Sequence, residues 1–366
     1  METRILSDNR PPMTAPETQT LAEVHEGHRF DVDTLERYLA PRIAGFTLLV
    51  QVRQFLGGQS NPTYHLSAGG RQYVLRRKPP GPLLPSAHAV DREYRVITAL
   101  SATDVPVPKT YLLCEDASVV GTPFYVMEFV PGRIFADPMM PGIARTERAA
   151  IYDAMNDVMA RLHRVDWKAV GLADFGRPGN YFARQIHRWT TQYRASETER
   201  IESMEHLIVW LPEHIPAGDE TTLVHGDYRP GNLIVHPTEP RIVALLDWEL
   251  STLGHPLADL AYNCVPYHMG PGENLGGVDG ADLGALGIPT EAEYVAAYCR
   301  RTGRAEIADW DFYVAFALFR LGAIAQGIMG RVIAGTASDP NARQRGERAR
   351  PLADAGWSVV QRSGPA

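Results

Sequence analysis

The stretch from Leu223 to Glu249 most narrows what this chain can become. Leu223-Val224 runs into His225-Gly226-Asp227, and Asn232 follows the aspartate five residues later, just before the β-prone run Leu233-Ile234-Val235. A turn, His236-Pro237-Thr238-Glu239-Pro240, leads to a second run, Ile242 to Leu246, which ends at Asp247-Trp248-Glu249. Two short apolar runs joined by a proline-bearing turn read as a hairpin. Such a hairpin can bring Asp227, Asn232 and Asp247 to one end. Phosphoryl transfer needs a carboxylate that orients a hydroxyl and takes its proton, together with oxygen ligands for magnesium on the phosphates. Singly, aspartate and asparagine are ordinary turn formers. As a set at this spacing they carry the chemical reading.

The rest of the chain sorts into two halves. Residues 1–30 are polar and read as a flexible tail. Asp31 to Leu39 has the apolar spacing of a short helix. Phe46 to Phe55, Thr63 to Leu66, Tyr73 to Arg76, Lys109 to Cys114 and Pro123 to Val130 read as strands, and Ala89 to Leu100 as one amphipathic helix among them. That order gives an antiparallel sheet with one helix, and not a βαβ repeat. After Pro131-Gly132 the pattern turns helical: Ala144 to Arg164, Tyr181 to Arg194, Thr198 to Leu211, Ala258 to Tyr262, Glu291 to Arg301, Trp310 to Ile333 and Gln344 to Gln361, the last with a break at Pro351. Met269 to Pro289 is glycine-rich and reads as a loop. The fold class is therefore α+β, with a β-rich lobe over 31–130 and a helical lobe with an embedded hairpin over 131–366.

Bulk properties exclude several classes. The formal net charge is −7, so no basic surplus points to nucleic acid or an anionic membrane as a partner. Cys114, Cys264 and Cys299 are too few and too scattered for a disulfide framework or a structural zinc site. The first twenty residues have no apolar core of a signal peptide. The apolar stretch Val314 to Gly335 contains Arg320, Gln326 and Arg331, which favours a buried helix over a membrane span. A cytoplasmic location is the expectation. The chain has no P-loop or G-x-S-x-G elbow, and the glycines at 270, 272, 276 and 277 do not fit a dinucleotide fingerprint.

His225-Gly226-Asp227 stands where protein kinases have H-R-D, Asn232 where they have the catalytic-loop asparagine, and Asp247-Trp248-Glu249 where they have D-F-G. The segment resembles the motif of the aminoglycoside phosphotransferase and choline kinase superfamily. Gly57 to Tyr64, Tyr73 to Arg76, Arg92-Glu93-Tyr94, Phe124 to Glu128 and Leu253 to Leu260 occur in the order that family uses. The tract Leu283 to Pro289, with Tyr294 and Tyr298-Cys299, is similar to the branch fused in animals to acyl-CoA dehydrogenases. The resemblance implies a protein-kinase-like two-lobed fold and a small-molecule kinase using ATP and Mg2+. Asp227 would be the catalytic base, and Asn232 and Asp247 the metal ligands. Gly57, Gly58, Gln59, Ser60 and Asn61 would cover the phosphates, and Glu128 and Phe129 would border the adenine. Arg76 stands where the family has a phosphate-binding lysine, with Glu93 as its helix partner. Arginine and lysine are not interchangeable at a packed site, and Lys78, on the same strand face, is the alternative.

The branch resemblance implies a small-molecule hydroxyl acceptor, a hydroxyacyl-CoA or related hydroxy compound. An aminoglycoside is the alternative; it would need an acidic pocket, for which Glu273, Asp279, Asp282, Glu291 and Glu293 are candidates, although a surface charge run explains them as well. A nucleotide-binding pseudokinase is the alternative of another class, prompted by the missing lysine. His225 reads as scaffold for the catalytic loop, and Asp259 as a structural anchor of that loop. Oligomeric state has no signature in the sequence.

Overall fold

The computed structural model describes residues 20–47, 49–56, 61–81, 89–271, 276–337 and 339–362. In the first lobe the strands are β1 Leu21–Ala22, β2 Leu49–Phe55, β3 Thr63–Ala68, β4 Arg71–Arg77, β5 Thr110–Cys114 and β6 Phe124–Glu128. They pair antiparallel in the order β1-β2-β3-β4-β6-β5. Three helices attend them: α1 Val32–Leu39, α2 Val90–Leu100 and the single turn α3 Ala117–Val120.

Period-two alternation divides the work of the sheet's two faces. Tyr64, Leu66, Tyr73, Leu75, Phe124 and Val126 join Leu35 and Leu39 of α1 in an outer core. Val74, Tyr125 and Met127 face the other way and merge with Val96, Ile97 and Leu100 of α2 into the main core of the molecule. β4 therefore sends Arg76 inward and Arg77 outward. Arg77 donates to Tyr64 Oη at 3.0 Å and to the His28 carbonyl at 2.9 Å, and Tyr64 Oη also donates to that carbonyl at 3.0 Å. These bonds correct the expected extent of the tail. Chain from Thr20 onward belongs to the fold, since β1 adds an edge strand and the Leu56 amide donates to the Thr20 carbonyl at 2.9 Å. The tail's residues before Thr20 lie outside the described residues.

The second lobe carries helices α4 Arg145–Arg164, α5 Tyr181–Ala195, α6 Glu202–Glu213, α7 Pro256–Cys264, α8 Leu283–Leu286, α9 Glu291–Thr302, α10 Trp310–Ile333, α11 Ala342–Gly346 and α12 Ala349–Arg362. Its strands are β7 Thr222–Val224, β8 Leu233–Val235, β9 Ile242–Leu245 and β10 Thr252–Gly254. The expected hairpin is the antiparallel pair β8–β9. The pair β7–β10 escaped the sequence reading because three-residue strands offer too little periodicity. Helix α10 has the length and apolar character of a membrane span, yet 72% of its most apolar window is buried inside the fold. The break near the C-terminus falls at Glu347-Arg348 and not at Pro351, which sits in the first turn of α12, where a missing N–H costs nothing. Likewise α6 begins at Glu202, later than expected, and one short helical turn, α8, interrupts the Gly-rich loop.

The connection between the lobes is pinned. Arg133 exchanges both backbone hydrogen bonds with Val235 of β8 at 2.8 Å, and the Leu245 amide donates to the Pro106 carbonyl at 2.9 Å. Gly132 lies so close to β8 that a Cβ there would collide with Ile234 Cγ2 and the Val235 carbonyl. Gly132→Ala is expected to destabilise the protein by about 1–3 kcal/mol, the usual cost of overpacking. A thermal melt should show a loss of several degrees, at about 2–4 °C per kcal/mol; an unchanged Tm would refute the tight contact.

Candidate active site

The catalytic loop hangs from a buried carboxylate. Asp259, in the first turn of α7 and 1% exposed, accepts from the His225 amide at 2.6 Å and the Gly226 amide at 2.8 Å. His163 of α4 adds its Nε2 at 3.3 Å, with Tyr298 holding the other ring nitrogen at 2.7 Å. Burial alone would raise the Asp259 pKa, but the His163 hydrogen bond and charge and the His225 amide outweigh it and hold it below the usual carboxylate value. Gly226 has φ +82°, and a Cβ there would come within 2.5 Å of the Leu250 carbonyl, so this position needs glycine. Arg320 of α10 donates to the Gly226 carbonyl at 2.6 Å.

His225 serves as a strut. Its Nε2 donates to the Leu246 carbonyl at 2.9 Å, and its Nδ1 accepts the Asp227 amide at 3.2 Å, so its two partners fix the tautomer. It thereby ties the Asp227 loop to the end of β9. Asp227 is held on both oxygens. Oδ2 accepts from Asn232 Nδ2 at 2.8 Å and Arg229 Nε at 3.3 Å, and Oδ1 accepts from the Tyr262 hydroxyl. Asn232 Nδ2 also reaches the Asp227 carbonyl at 2.8 Å, which leaves Asn232 Oδ1 with no protein donor among the described residues. The Leu246 amide donates to the Asn232 carbonyl at 2.8 Å and so brings Asp247 alongside. Asp247 itself has φ +64°, a left-handed conformation that aspartate tolerates better than most residues.

Arg76 reaches across from the first lobe. Its Nε lies 2.9 Å from Glu93 Oε2, and its Nη2 donates to Asp247 Oδ1 at 2.6 Å, with Glu249 at 3.8 Å. Burial works against the charge of Arg76, but Glu93 and Asp247 outweigh it and raise its pKa. Glu93 is also raised, first by burial, against the pull of Arg76. Lys78 shares the strand face but pairs loosely with Asp91 at 3.9 Å, away from Glu93. Of the two cations, Arg76 is therefore the one that pairs with Glu93. Asn61 is fully buried and donates to Glu93 Oε1 at 2.7 Å, so its side chain anchors the loop's end instead of facing phosphates. Gly57, Gly58, Gln59 and Ser60 lie outside the described residues.

At the hinge, the Glu128 amide donates to the Lys109 carbonyl at 2.8 Å, while its side chain is exposed. Phe129 stacks near Phe55 at 6.4 Å and meets His65 edge-on at 5.0 Å, forming an aromatic wall beside the hinge. Among the described residues, three of the five candidate acids have local partners. Asp282 caps α8, Glu293 closes a capping box with Thr290, and Glu291 pairs with His268 at 2.9 Å. Asp279 is exposed, and Glu273 lies outside the described residues. Tyr262, Arg229 and Glu249 were not singled out from sequence as site residues, and Arg320 was noted only as a charge within an apolar helix. Glu249 stood in the D-x-E triplet and Arg229 two residues past Asp227, so both had a positional signal; Arg320 had that of a charge in an apolar run, and Tyr262 had none beyond helical periodicity.

Among the described residues no cluster of three or more His, Cys, Asp or Glu side chains has the arrangement of a metal site. Magnesium asks less of the protein, since it keeps waters and takes one or two carboxylates plus phosphate oxygens. The donor set fits that demand: among the described residues Asn232 Oδ1 has no protein donor, and the Asp247 carboxylate stands alongside, with Arg76 on its Oδ1.

An antiparallel sheet over a helical lobe, with an H-x-D-x-x-x-x-N loop and a second aspartate between them, defines a kinase-like phosphotransferase fold. The chain belongs to the phosphotransferase enzyme family, whose model matches residues 51–313. A Ralstonia eutropha protein provisionally described as an aminoglycoside phosphotransferase is 53% identical, with a TM-score of 0.84 over 91% of this chain and 99% of that one. Mouse acyl-CoA dehydrogenase family member 10 is 47% identical over 96% of this chain, which covers 33% of that protein. The chain spans less than half the length of the curated relatives it matches. At 16% identity and a TM-score of 0.59, covering 91% of this chain and all of the other, the aminoglycoside phosphotransferase APH(4)-Ia shares the fold; that structure is a ternary complex with AMP-PNP and hygromycin B.

Asp259→Asn is expected to weaken the whole loop. Losing a charged acceptor of buried hydrogen bonds costs about 1.5–3 kcal/mol. Because the folded pKa of Asp259 is depressed, its contribution is present above the unfolded carboxylate value and is lost as pH falls through the folded one. Urea unfolding should thus show a large gap between wild type and variant at pH 7 that narrows in acid; a pH-independent gap would refute the assignment.

Proposed function

We propose that the protein is an ATP- and magnesium-dependent small-molecule kinase that transfers the γ-phosphate to a hydroxyl, with a hydroxyacyl-CoA or related hydroxy compound as acceptor. The observation that carries this reading is the meeting of Asp227, Asn232, Asp247 and Arg76 between the lobes. Support for the nucleotide comes from the AMP-PNP complex of the fold relative, and support for the acyl-CoA connection from the family member 10 match.

Asp227 would orient the acceptor hydroxyl and take its proton as the oxygen–phosphorus bond forms and the bond to the ADP oxygen breaks. Both Asp227 oxygens already accept hydrogen bonds, so its carboxylate is locked in direction before any substrate arrives. Asn232 and Asp247 would hold the magnesium, which when bound neutralises charge on the phosphates. Arg76 and Arg229 supply fixed positive charge at that place, where preorganised electrostatics contribute most. An aminoglycoside acceptor has less support, because three of the five acids that could have formed its pocket, Asp282, Glu291 and Glu293, are engaged in helix caps and a histidine pair.

The test is magnesium-dependent ADP formation with hydroxyacyl-CoA and aminoglycoside panels. Asp227→Asn should cut turnover by about 10²–10⁴-fold, the usual worth of a positioned acid–base group, while ATP affinity stays near that of wild type. Wild-type turnover in the variant would sink the role of Asp227. Chelating magnesium should abolish ADP formation, and ATP binding without any magnesium-dependent turnover would favour a binding module.

A further inference from the structure

We propose that the acceptor hydroxyl lodges on Asp227 Oδ1 beside the Tyr262 phenol, and that Tyr262 is a positioning residue for the proton transfer; this rests on the kinase reading above. A carboxylate offers about four lone-pair sites, two on each oxygen. Among the described residues, both sites on Asp227 Oδ2 are taken, by Asn232 Nδ2 at 2.8 Å and Arg229 Nε at 3.3 Å. Oδ1 has one donor, the Tyr262 hydroxyl. The remaining site is therefore on Oδ1. A hydroxyl that takes it brings its oxygen to about 4.5 Å from Tyr262 Oη, the span of two hydrogen bonds that meet on one atom. Both groups reach solvent: the Asp227 side chain is 19% exposed, and Tyr262 is partly exposed.

Helix α7 sets Tyr262 there by gripping successive parts of the loop. Asp259 accepts the His225 and Gly226 amides, Tyr262 holds the Asp227 side chain, and Asn263 Nδ2 donates to the Tyr228 carbonyl at 3.2 Å. Asp259 and Tyr262 are three residues apart, and so neighbours on one face of the helix. Arg320 of α10 donates to the Gly226 carbonyl at 2.6 Å and lies over the Tyr262 ring, 5.4 Å from its centre. A phenol fixed by its ring as well as by its hydroxyl can hold a carboxylate against rotation. Burial, and then the charge of Asp227, raise the Tyr262 pKa against the pull of Arg229. The hydroxyl thus stays a donor and leaves the role of base to Asp227. In the transfer the acceptor oxygen bonds to the γ-phosphorus as the bond to the ADP oxygen breaks. The acceptor proton passes to Asp227 Oδ1, and Tyr262 keeps its own.

The experiment measures magnesium-dependent ADP formation by the full chain with two acceptors, water alone and 3-hydroxybutyryl-CoA. Tyr262→Phe keeps the ring and removes only the hydroxyl. It should lower kcat with either acceptor by about 10–100-fold, the worth of a hydrogen bond to a charged group. The KM for ATP should stay within about twofold, since the lost bond serves the transfer and not nucleotide binding. An Asp227→Ala background separates positioning from general loosening of the loop. A phenol that acts only through the carboxylate has nothing left to hold there, so adding Tyr262→Phe should change the residual turnover by less than about twofold. A fall on that background as large as in the wild type would overturn the proposal, as would wild-type kcat in Tyr262→Phe. A wild type that forms no ADP with water or with any alcohol of the hydroxyacyl-CoA and aminoglycoside panels would reject the kinase reading itself, and this seat with it.

Discussion

The buried carboxylate of Asp259 is the interaction on which the site depends. A loop that must present Asp227 and Asn232 cannot also satisfy its own backbone, because His225 and Gly226 turn their amides away from any strand partner. Unpaired amides in a dry interior would cost more than the loop could return. Asp259 accepts both, and His163 and Tyr298 support it from helices α4 and α9. The active site is thus suspended from the helical lobe, and the short β7–β10 pair only delivers the chain to the suspension point.

Two adjacent arginines show how strand parity apportions labour. Arg76 and Arg77 differ by one residue, and so by one face of the sheet. One enters the acidic cluster between the lobes; the other turns outward and fastens the N-terminal segment through the His28 carbonyl and Tyr64. A slip of one residue in β4 would exchange these roles and lose both.

Much of this was legible in the sequence. Strands with alternating or β-branched runs, and helices of ten or more residues, announce themselves by period, and α10 was placed from Trp310 to Ile333 as the structure has it. The trio of Asp227, Asn232 and Asp247 was legible because its members sit on one hairpin, at fixed short spacing. What stayed hidden depends on contacts across long separations. Tyr262 looks like one more aromatic on a buried helix until α7 is packed, and its hydroxyl then meets Asp227. The reach of the fold into residues 20–30 was missed for the same reason: a two-residue strand has no pattern, only a neighbour.

The bond between Arg76 and Asp247 has a mechanical side. Arg76 rides on β4 in one lobe and Asp247 follows β9 in the other, so their 2.6 Å contact is a latch across the mouth between them. Any motion that parts the lobes must break it, in a place where the Arg76 side chain is only 10% exposed and water can compensate little. In the proposed kinase, a nucleotide arriving with its own anions and counter-cation would offer both partners of the latch a replacement, phosphate for the arginine and metal for the aspartate. Entry of the charged guest and release of the latch would then be one exchange of partners.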